Sequence, residues 1–270
     1  MSYHTVDGRR IHYRIEGSGP VVVLLHGMGS CADDWMLQFP ALAGRATALA
    51  VDLRGHGRTD APRGPYTIPA MAGDVAGLLA GLDIEAAHVV GLSLGGLVAQ
   101  ALAIDHPGRV RSLVLVNTFA RLRPQGIRGW IYLLARAIAM LTGGVERQAE
   151  VVAAGVFPHP EQAELRHMAA ERLKANDPAA YRAAMRAVLR FDSRPDLGKI
   201  RVPTLVVAGA EDTTVSLAAK RALAEGIPGA RLEVIPNSGH ATPLDRPEVF
   251  NERVLRFIGA IEATGAQTPV

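Results

Sequence analysis

The 270-residue sequence is poor in cysteine, in long apolar runs and in net charge, three features that mark common protein classes. Its one cysteine, Cys31, excludes an intramolecular disulfide and a zinc-finger-type site, and it fits a reducing compartment. No apolar run reaches membrane length, and residues 1–5 lack the apolar segment of a signal peptide. The net charge is only +3 and the arginines are scattered, so there is no nucleic-acid footprint. We expect a soluble, cytoplasmic protein that binds neither nucleic acid nor membrane.

Two further absences concern cofactors. No pair of histidines stands at ligand spacing with a carboxylate, so no metal site is indicated. The segment Gly27-Met28-Gly29 lacks the third glycine of the dinucleotide-binding fingerprint, and no lysine follows it as in a phosphate-binding loop. We therefore expect neither a metal nor an organic cofactor, and a small molecule as the partner. Assembly into a homo-oligomer is left open by the sequence.

Short apolar runs alternate with stretches of helical spacing along most of the chain. Asp7-Gly8 between two alternating stretches predicts a β-hairpin. The continuous apolar run at 21–25 predicts a strand that is buried on both faces, and 110–116 predicts another buried strand. Further strands are predicted at 47–53, 88–90, 204–208 and 231–235. Strands that alternate with helices imply an α/β fold with a mostly parallel, doubly wound sheet.

The pattern changes between residues 119 and 195. Strand-like runs are missing there, and four alanine- and arginine-rich stretches have helical spacing, at 127–141, 145–154, 161–174 and 178–189. Helices inserted between two strands of one sheet predict a cap over the C-terminal edge of that sheet. We therefore expect an α/β core formed by 1–118 and 196–270, with a helical cap at 119–195.

The predicted site is centred on residues 89–97, Val-Val-Gly-Leu-Ser-Leu-Gly-Gly-Leu. An apolar run precedes Ser93 and a helical pattern follows it, which is typical of a sharp turn between a strand and a helix. A residue at the apex of such a turn has a strained backbone, and side chains two positions away on either side would clash. Gly91 and Gly95 clear that space and complete the G-x-S-x-G motif of a nucleophile elbow. Ser93 is thus the predicted nucleophile.

A serine hydroxyl needs a base to take its proton, and the base needs an acid to orient it. Asp212 is the acid candidate, because it follows closely on the strand predicted at 204–208. Its nearest rival is Glu211, which stands one residue too early for the usual turn. A second position for an acid, after the strand predicted at 110–116, holds Asn117, which cannot carry the charge.

The base candidate is His240, which lies in the loop after the last predicted strand. The chain order Ser93, Asp212, His240 is one of the orders in which such triads occur. The other histidines have structural interpretations. Among them, His26 is expected to brace the loop after the first buried strand, and His56 lies in a predicted turn.

Two backbone amides are expected to bind the oxyanion of the intermediate. One belongs to Leu94, the residue after the nucleophile. The other belongs to Met28, where the flanking glycines keep the loop open to a substrate.

With these parts in place, the chain resembles the α/β-hydrolase superfamily over essentially its full length. The motifs that carry the resemblance are 26–29, 52–57, 91–96, 209–212 and 238–240. Within the superfamily, segments 91–96 and 106–115 and the predicted cap are similar to those of bacterial 3-oxoadipate enol-lactonases and neighbouring small-ester hydrolases. One departure is Thr59, where these families usually have serine.

The residues and the resemblance together imply a serine hydrolase that cleaves a small carboxylic ester or lactone through an acyl-enzyme. Apolar residues of the cap are expected to line the substrate pocket, namely Trp130, Leu134, Val156 and Phe157. Three classes that use the same triad stay open: carbon–carbon bond hydrolases of ring-cleavage products, perhydrolases and acyltransferases. The alternative that is not an enzyme is a ligand receptor with vestigial turnover.

Overall fold

The computed structural model describes residues 2–61, 66–122, 127, 131, 134, 144 and 146–265. The strands are β1 (Ser2–Val6), β2 (Arg9–Gly17), β3 (Val21–Leu25), β4 (Thr47–Val51), β5 (Ala87–Leu92), β6 (Val110–Val116), β7 (Thr204–Gly209) and β8 (Arg231–Ile235). They form one sheet in the order β1-β2-β4-β3-β5-β6-β7-β8. β2 pairs antiparallel with β1 and β4, and the other neighbouring pairs are parallel, as predicted.

Helices connect the strands. They are α1 (Phe39–Leu42), α2 (Ile68–Gly81), α3 (Leu94–Asp105), α4 (the helical residues 146–156), α5 (Ala163–Lys174), α6 (Pro178–Arg190), α7 (Leu217–Gly226), α8 (Thr242–Asp245) and α9 (Pro247–Ala263). Short 3-10 turns occur at Ala32–Trp35, Pro107–Arg109, Pro160–Gln162 and Leu197–Lys199. No helix in the described part of the chain is both long enough and apolar enough to cross a membrane.

The hairpin at the sheet edge is confirmed. Asp7 and Gly8 both have positive φ, 46° and 76°, which matches the right-handed twist of the strands they join. Val6 and Arg9 pair directly across the turn, so the loop holds only two residues.

The sheet has an apolar layer on each face. Along β3, Val22 and Leu24 pack on one side with residues of α9, whereas Val23 and Leu25 pack on the other side with residues of α2 and α3. All four side chains are fully buried, which explains the continuous apolar run in the sequence. Helices on both faces confirm the doubly wound sheet.

Between β6 and β7 the described residues include the three helices α4, α5 and α6. They share a small apolar cluster of Ala149, Val152, Leu173 and Tyr181, and Met28, which follows β3, packs against it. The inserted helices therefore contact the C-terminal end of the sheet. The helices predicted at 161–174 and 178–189 are confirmed within two residues at each end. The helix predicted at 145–154 ends two residues later than expected, at 156, and its predicted first residue lies outside the described residues. Most of the helix predicted at 127–141 lies outside the described residues, and the cap boundaries 119 and 195 stay a prediction.

Candidate active site

Ser93 lies between β5 and α3 in a backbone conformation that few residues other than glycine adopt. Its φ is 52° and its ψ is −108°. The surrounding turn has no room for side chains: a Cβ on Gly91 would overlap the Gly95 carbonyl, and a Cβ on Gly95 would overlap the Leu25 carbonyl. The close approach of the backbone therefore requires both glycines of the G-x-S-x-G motif.

Three hydrogen bonds hold this strained turn in place. The Ser93 N–H donates to the Val116 carbonyl at 3.0 Å, and the Thr118 hydroxyl donates to the Ser93 carbonyl at 2.8 Å. The Gly95 N–H donates to the His26 carbonyl at 3.0 Å. The turn is thus tied to the ends of both strands that flank β5, which lets the strained conformation persist.

The loop after β3 passes beside Ser93, since a Cβ on Gly27 would lie 3.8 Å from Ser93 Cβ. His26 braces this loop, as predicted. Its Nδ1 donates to the Gly27 carbonyl at 2.7 Å, and its Nε2 accepts from the Leu53 N–H at 3.0 Å. Burial lowers the pKa of His26, so the ring is neutral and this tautomer is the one that satisfies both nitrogens.

The two residues predicted for the oxyanion hole line one cavity. Leu94 is the first residue of α3, so its amide N–H has no acceptor within the helix. Met28 lies in the loop after β3, and both residues line the same cavity as Ser93.

His240 and Asp212 are joined by a hydrogen bond of 3.0 Å between Nδ1 and Oδ2. The second carboxylate oxygen, Oδ1, accepts the backbone N–H groups of Thr214 at 2.8 Å and Val215 at 3.0 Å. These amides fix the orientation of the carboxylate. Because Nδ1 faces Asp212, Nε2 is the ring nitrogen that remains for a group in the cavity.

A buried lysine, which the sequence reasoning missed, also contacts Asp212. Lys220 Nζ, on α7, lies 2.7 Å from Asp212 Oδ2, and both side chains are fully buried. Burial disfavours the charged carboxylate, but the attraction of His240 and Lys220 outweighs burial and lowers the pKa of Asp212 to about 2. Lys220 shares the buried face of α7 with Leu223 and Ala224, so a lysine at an apolar position was the available signal.

The loop that carries His240 is fixed by a buried carboxylate on α8. Asp245 accepts the Ser238 hydroxyl at 2.8 Å on one oxygen and the Gly239 N–H at 2.6 Å on the other. Burial raises the pKa of Asp245, against the opposing effect of these two hydrogen bonds. From the other side, Asn117 Nδ2 donates to the Gly239 carbonyl at 3.1 Å. The histidine loop is therefore held from two elements.

Glu211, the rival acid, lies elsewhere. Its side chain is 42% exposed and contacts the segment between α4 and α5, with 2.9 Å between its Oε2 and His159 Nε2. On the other side of Asp212, the Thr213 hydroxyl donates to the Gly155 carbonyl at 3.1 Å. Both neighbours of Asp212 thus contact the insertion, and Asp212 is the carboxylate that bonds to the histidine.

A cavity of about 560 Å³ lies between the C-terminal edge of the sheet and the inserted helices. Ser93, Asp212 and His240 all line it, so the structure brings the three predicted residues to one place. Among residues 2–61, 66–122 and 146–265, no three His, Cys, Asp or Glu side chains are grouped so that they could hold a metal ion.

The residues predicted to line the substrate pocket differ in where the structure places them. Val156 and Phe157 line the cavity. Leu134 is 60% exposed and is not among the lining residues, which differs from the expectation, and Trp130 lies outside the described residues. Leu134 stands at helical spacing from Ile127 and Ile131, which are also exposed, so this helix face is directed toward solvent.

A charged pair also lines the cavity. Arg172, on α5, contacts Asp34 with 3.2 Å between Nη2 and Oδ1, and the Ser30 hydroxyl donates to the same carboxylate at 2.5 Å. The pair joins the insertion to the loop after β3. The cavity thus has a polar region in addition to its apolar wall.

Comparisons with known proteins identify the fold family of the chain. A family model described as the alpha/beta hydrolase fold matches residues 20–247. The chain is 35% identical over 269 residues to a protein of Azorhizobium caulinodans proposed to be a carbamate hydrolase, RutD; the match covers 97% of this chain and 100% of the relative. It is 30% identical over 238 residues to 3-oxoadipate enol-lactonase 2 of Acinetobacter baylyi, and the match covers 87% of each.

A solved structure has the same fold. The enol-lactonase from Burkholderia xenovorans LB400 superimposes with a TM-score of 0.87 at 33% identity, over 96% of this chain and 100% of that chain. The resemblance inferred from the five sequence motifs is confirmed by these matches, for the fold and for the enol-lactonase relatives.

Proposed function

The chain belongs to the alpha/beta hydrolase fold family, and we propose that it is a serine hydrolase that cleaves a small carboxylic ester or lactone. The observation that carries the proposal is the placement of Ser93 and the His240–Asp212 pair on one cavity. A hydroxyl on a strained turn, near an imidazole oriented by a carboxylate, is the arrangement that acyl transfer to serine needs.

In the proposed first half-reaction, Ser93 Oγ attacks the substrate carbonyl carbon while His240 Nε2 takes the hydroxyl proton. Asp212 stabilises the imidazolium that forms. The amide N–H groups of Leu94 and Met28 bind the oxyanion of the tetrahedral intermediate. His240 then protonates the leaving oxygen as its bond to the carbonyl carbon breaks, which leaves an acyl-enzyme on Ser93.

Water completes the reaction. It attacks the acyl carbon while His240 takes one of its protons, and the bond to Ser93 Oγ breaks as that oxygen regains a proton from His240. The products are a carboxylic acid and an alcohol, or one hydroxy acid when the substrate is a lactone. Water is the only co-reactant that this balance requires.

The cavity supports a substrate of modest size. Its volume of about 560 Å³ falls in the range of small-ligand sites. Val156 and Phe157 line the same cavity as Ser93 and His240 and supply apolar contact area, so an apolar acyl or alcohol group fits this wall. We assign residues 119–195 to a cap that shields the acyl-enzyme, because the cavity is lined from both the sheet edge and the inserted helices.

Hydrolysis of a p-nitrophenyl ester series, acetate through dodecanoate, together with small lactones and alkyl carbamates, tests the proposal. We expect turnover of short esters or lactones, and a loss of several orders of magnitude in Ser93→Ala. Ser18→Ala is the matched control, because Ser18 is exposed in a turn near the start of the chain. A fluorophosphonate label should attach to the wild type and to the control and should be absent from Ser93→Ala.

Either measurement, hydrolysis of the substrate series or fluorophosphonate labelling, can contradict the proposal. Hydrolysis or labelling that survives in Ser93→Ala overturns the nucleophile. A labelled Ser93 in an enzyme that turns over carbamates, and no ester or lactone, overturns the substrate class and retains the mechanism. Labelling without any of these activities favours a carbon–carbon bond hydrolase or a receptor.

A further inference from the structure

Lys220 is one of three lysines in the sequence, and its side chain is fully buried. The other two, Lys174 and Lys199, have exposed fractions of 31% and 66% and pair with carboxylates at the surface. Burial lowers the pKa of Lys220, against the attraction of Asp212. A lysine buried inside a fold has a cost in free energy, so its position next to the proposed acid calls for a reason.

Lys220 and His240 bond to the same oxygen of the acid. Nζ lies 2.7 Å and Nδ1 lies 3.0 Å from Asp212 Oδ2. The Lys220 charge is therefore less than about 6 Å from the imidazole, and because the Lys220 and Asp212 side chains are fully buried, solvent screens it little. Nζ has one further acceptor nearby, the Gly209 carbonyl at 3.4 Å. The amides that bond to Oδ1 keep the carboxylate from rotating away from either partner.

We propose that Lys220 is a positioning residue that holds Asp212 and, through the shared carboxylate oxygen, opposes protonation of His240. The proposal rests on the proposed function, in which His240 must be neutral to accept the Ser93 proton. By compensating the charge of Asp212, Lys220 weakens the attraction of that carboxylate for an imidazolium at His240.

The other charged groups around the histidine do not supply this effect. From α8, Asp245 acts in the opposite direction, because a nearby carboxylate favours the imidazolium. Across the cavity, Asp34 and Arg172 compensate each other as an ion pair. His26 is neutral, as described above. Lys220 is thus the cation in direct contact with the acid of the proposed triad.

A purely structural ion pair is the competing explanation. Buried pairs contribute little net stability compared with apolar residues of similar size, so the two explanations differ in what a substitution changes. A structural role changes the free energy of unfolding, or lowers kcat equally at every pH. The positioning role moves the pH at which His240 takes up its proton.

The test follows the His240 ring by NMR of histidine-labelled enzyme, without substrate, with the signal assigned through His240→Gln. In Lys220→Met we expect the midpoint of the His240 titration to rise by about one pH unit relative to the wild type. The midpoint of the acid limb of the kcat/KM pH profile should rise by the same amount. Activity at a pH below both midpoints should therefore fall about tenfold. Lys199→Met, which removes an exposed lysine, should change neither the midpoint of the His240 titration nor the pH dependence of kcat/KM.

A His240 titration that is unchanged in Lys220→Met overturns the proposal. If that variant does not fold, Lys220→Gln keeps a hydrogen-bond donor without the charge and should give the same rise. The wild type offers a measurement that needs no variant, because its three lysines give three signals in a ¹³C-lysine spectrum. Lys220 should stay charged throughout the His240 titration, and a neutral Lys220 overturns the proposal. Since the titrations contain no substrate, absence of esterase activity tells only against the proposed function.

Discussion

Asn117 Nδ2 donates a hydrogen bond of 2.8 Å to the backbone carbonyl of His240. The same amide nitrogen reaches the Gly239 carbonyl, and the side-chain oxygen accepts the Gly209 N–H at 2.8 Å. Asn117 therefore links the end of β7, which leads to Asp212, with the loop that carries the histidine. The residue that cannot serve as the acid instead fixes the distance between the proposed acid and the proposed base.

These hydrogen bonds of Asn117 predict the effect of Asn117→Asp. A carboxylate can still accept from Gly209 but cannot donate to two carbonyl oxygens, which would face its negative charge. We expect the free energy of unfolding to fall by about 2–4 kcal/mol, and kcat to fall because the histidine loop shifts. Urea unfolding and ester kinetics measure both. Asn237→Asp is the matched control, because Asn237 also has positive φ but is exposed. A similar loss in both variants would contradict the role of the Asn117 hydrogen bonds.

The identity of the acid can be tested within one dipeptide. Asp212→Asn should lower kcat by about 10⁴-fold, because the amide favours the wrong imidazole tautomer and cannot stabilise the imidazolium. Glu211→Gln should retain kcat within a few-fold, since that side chain is half-exposed and contacts His159. The measurement is kcat on whichever ester the wild type hydrolyses. The reverse ranking of the two variants would assign the acid to Glu211.

Asp212 also has a predicted effect on stability, which separates it from a surface carboxylate. Asp212→Asn leaves the Lys220 charge buried without a counter-charge, so the free energy of unfolding should fall by about 3–5 kcal/mol. Asp212→Asn combined with Lys220→Met should recover most of that loss and none of the activity. A double-mutant cycle from urea unfolding gives the coupling energy. Additive losses in the double variant would show that the two side chains are not energetically paired.

The sequence predicted the elements that a strong local pattern specifies. The bounds of β3, β6 and β8 were predicted to the residue. For β3 the reason is that a strand buried on both faces needs an unbroken apolar run, which turns bound. Ser93, Asp212 and His240 could be placed together because parallel strands end at a common edge, and each residue follows such an end.

What the sequence could not predict is the direction of particular side chains. The spacing of α7 places Lys220 with Leu223 and Ala224, but a pattern does not say whether the ammonium reaches a partner inside the fold or leaves the apolar face at the edge. For Leu134, the spacing is that of a helix, yet nothing local fixes which face is turned to the cavity. Both depend on how the elements pack together.

Two glycines within helical segments, Gly95 in the first turn of α3 and Gly108 in the 3-10 turn Pro107–Arg109, make a final test of the elbow. In Gly95→Ala, the new Cβ would overlap the Leu25 carbonyl, which is backbone of β3 and cannot move without breaking its pairing with β4 and β5. In Gly108→Ala, the new Cβ would have no atom within 4 Å. We expect Gly95→Ala to lose more than about 3 kcal/mol of unfolding free energy, or to be insoluble, and Gly108→Ala to change by less than about 0.5 kcal/mol.

Solubility, urea unfolding and fluorophosphonate labelling of both variants test this predicted difference. The two substitutions add the same methyl group, so the difference between them isolates the close approach of α3 to β3. A folded Gly95→Ala enzyme with wild-type labelling would mean that the backbone around Ser93 can relax. The strained turn would then not be what positions Ser93, and the assignment of the nucleophile would have to rest on the His240–Asp212 pair alone.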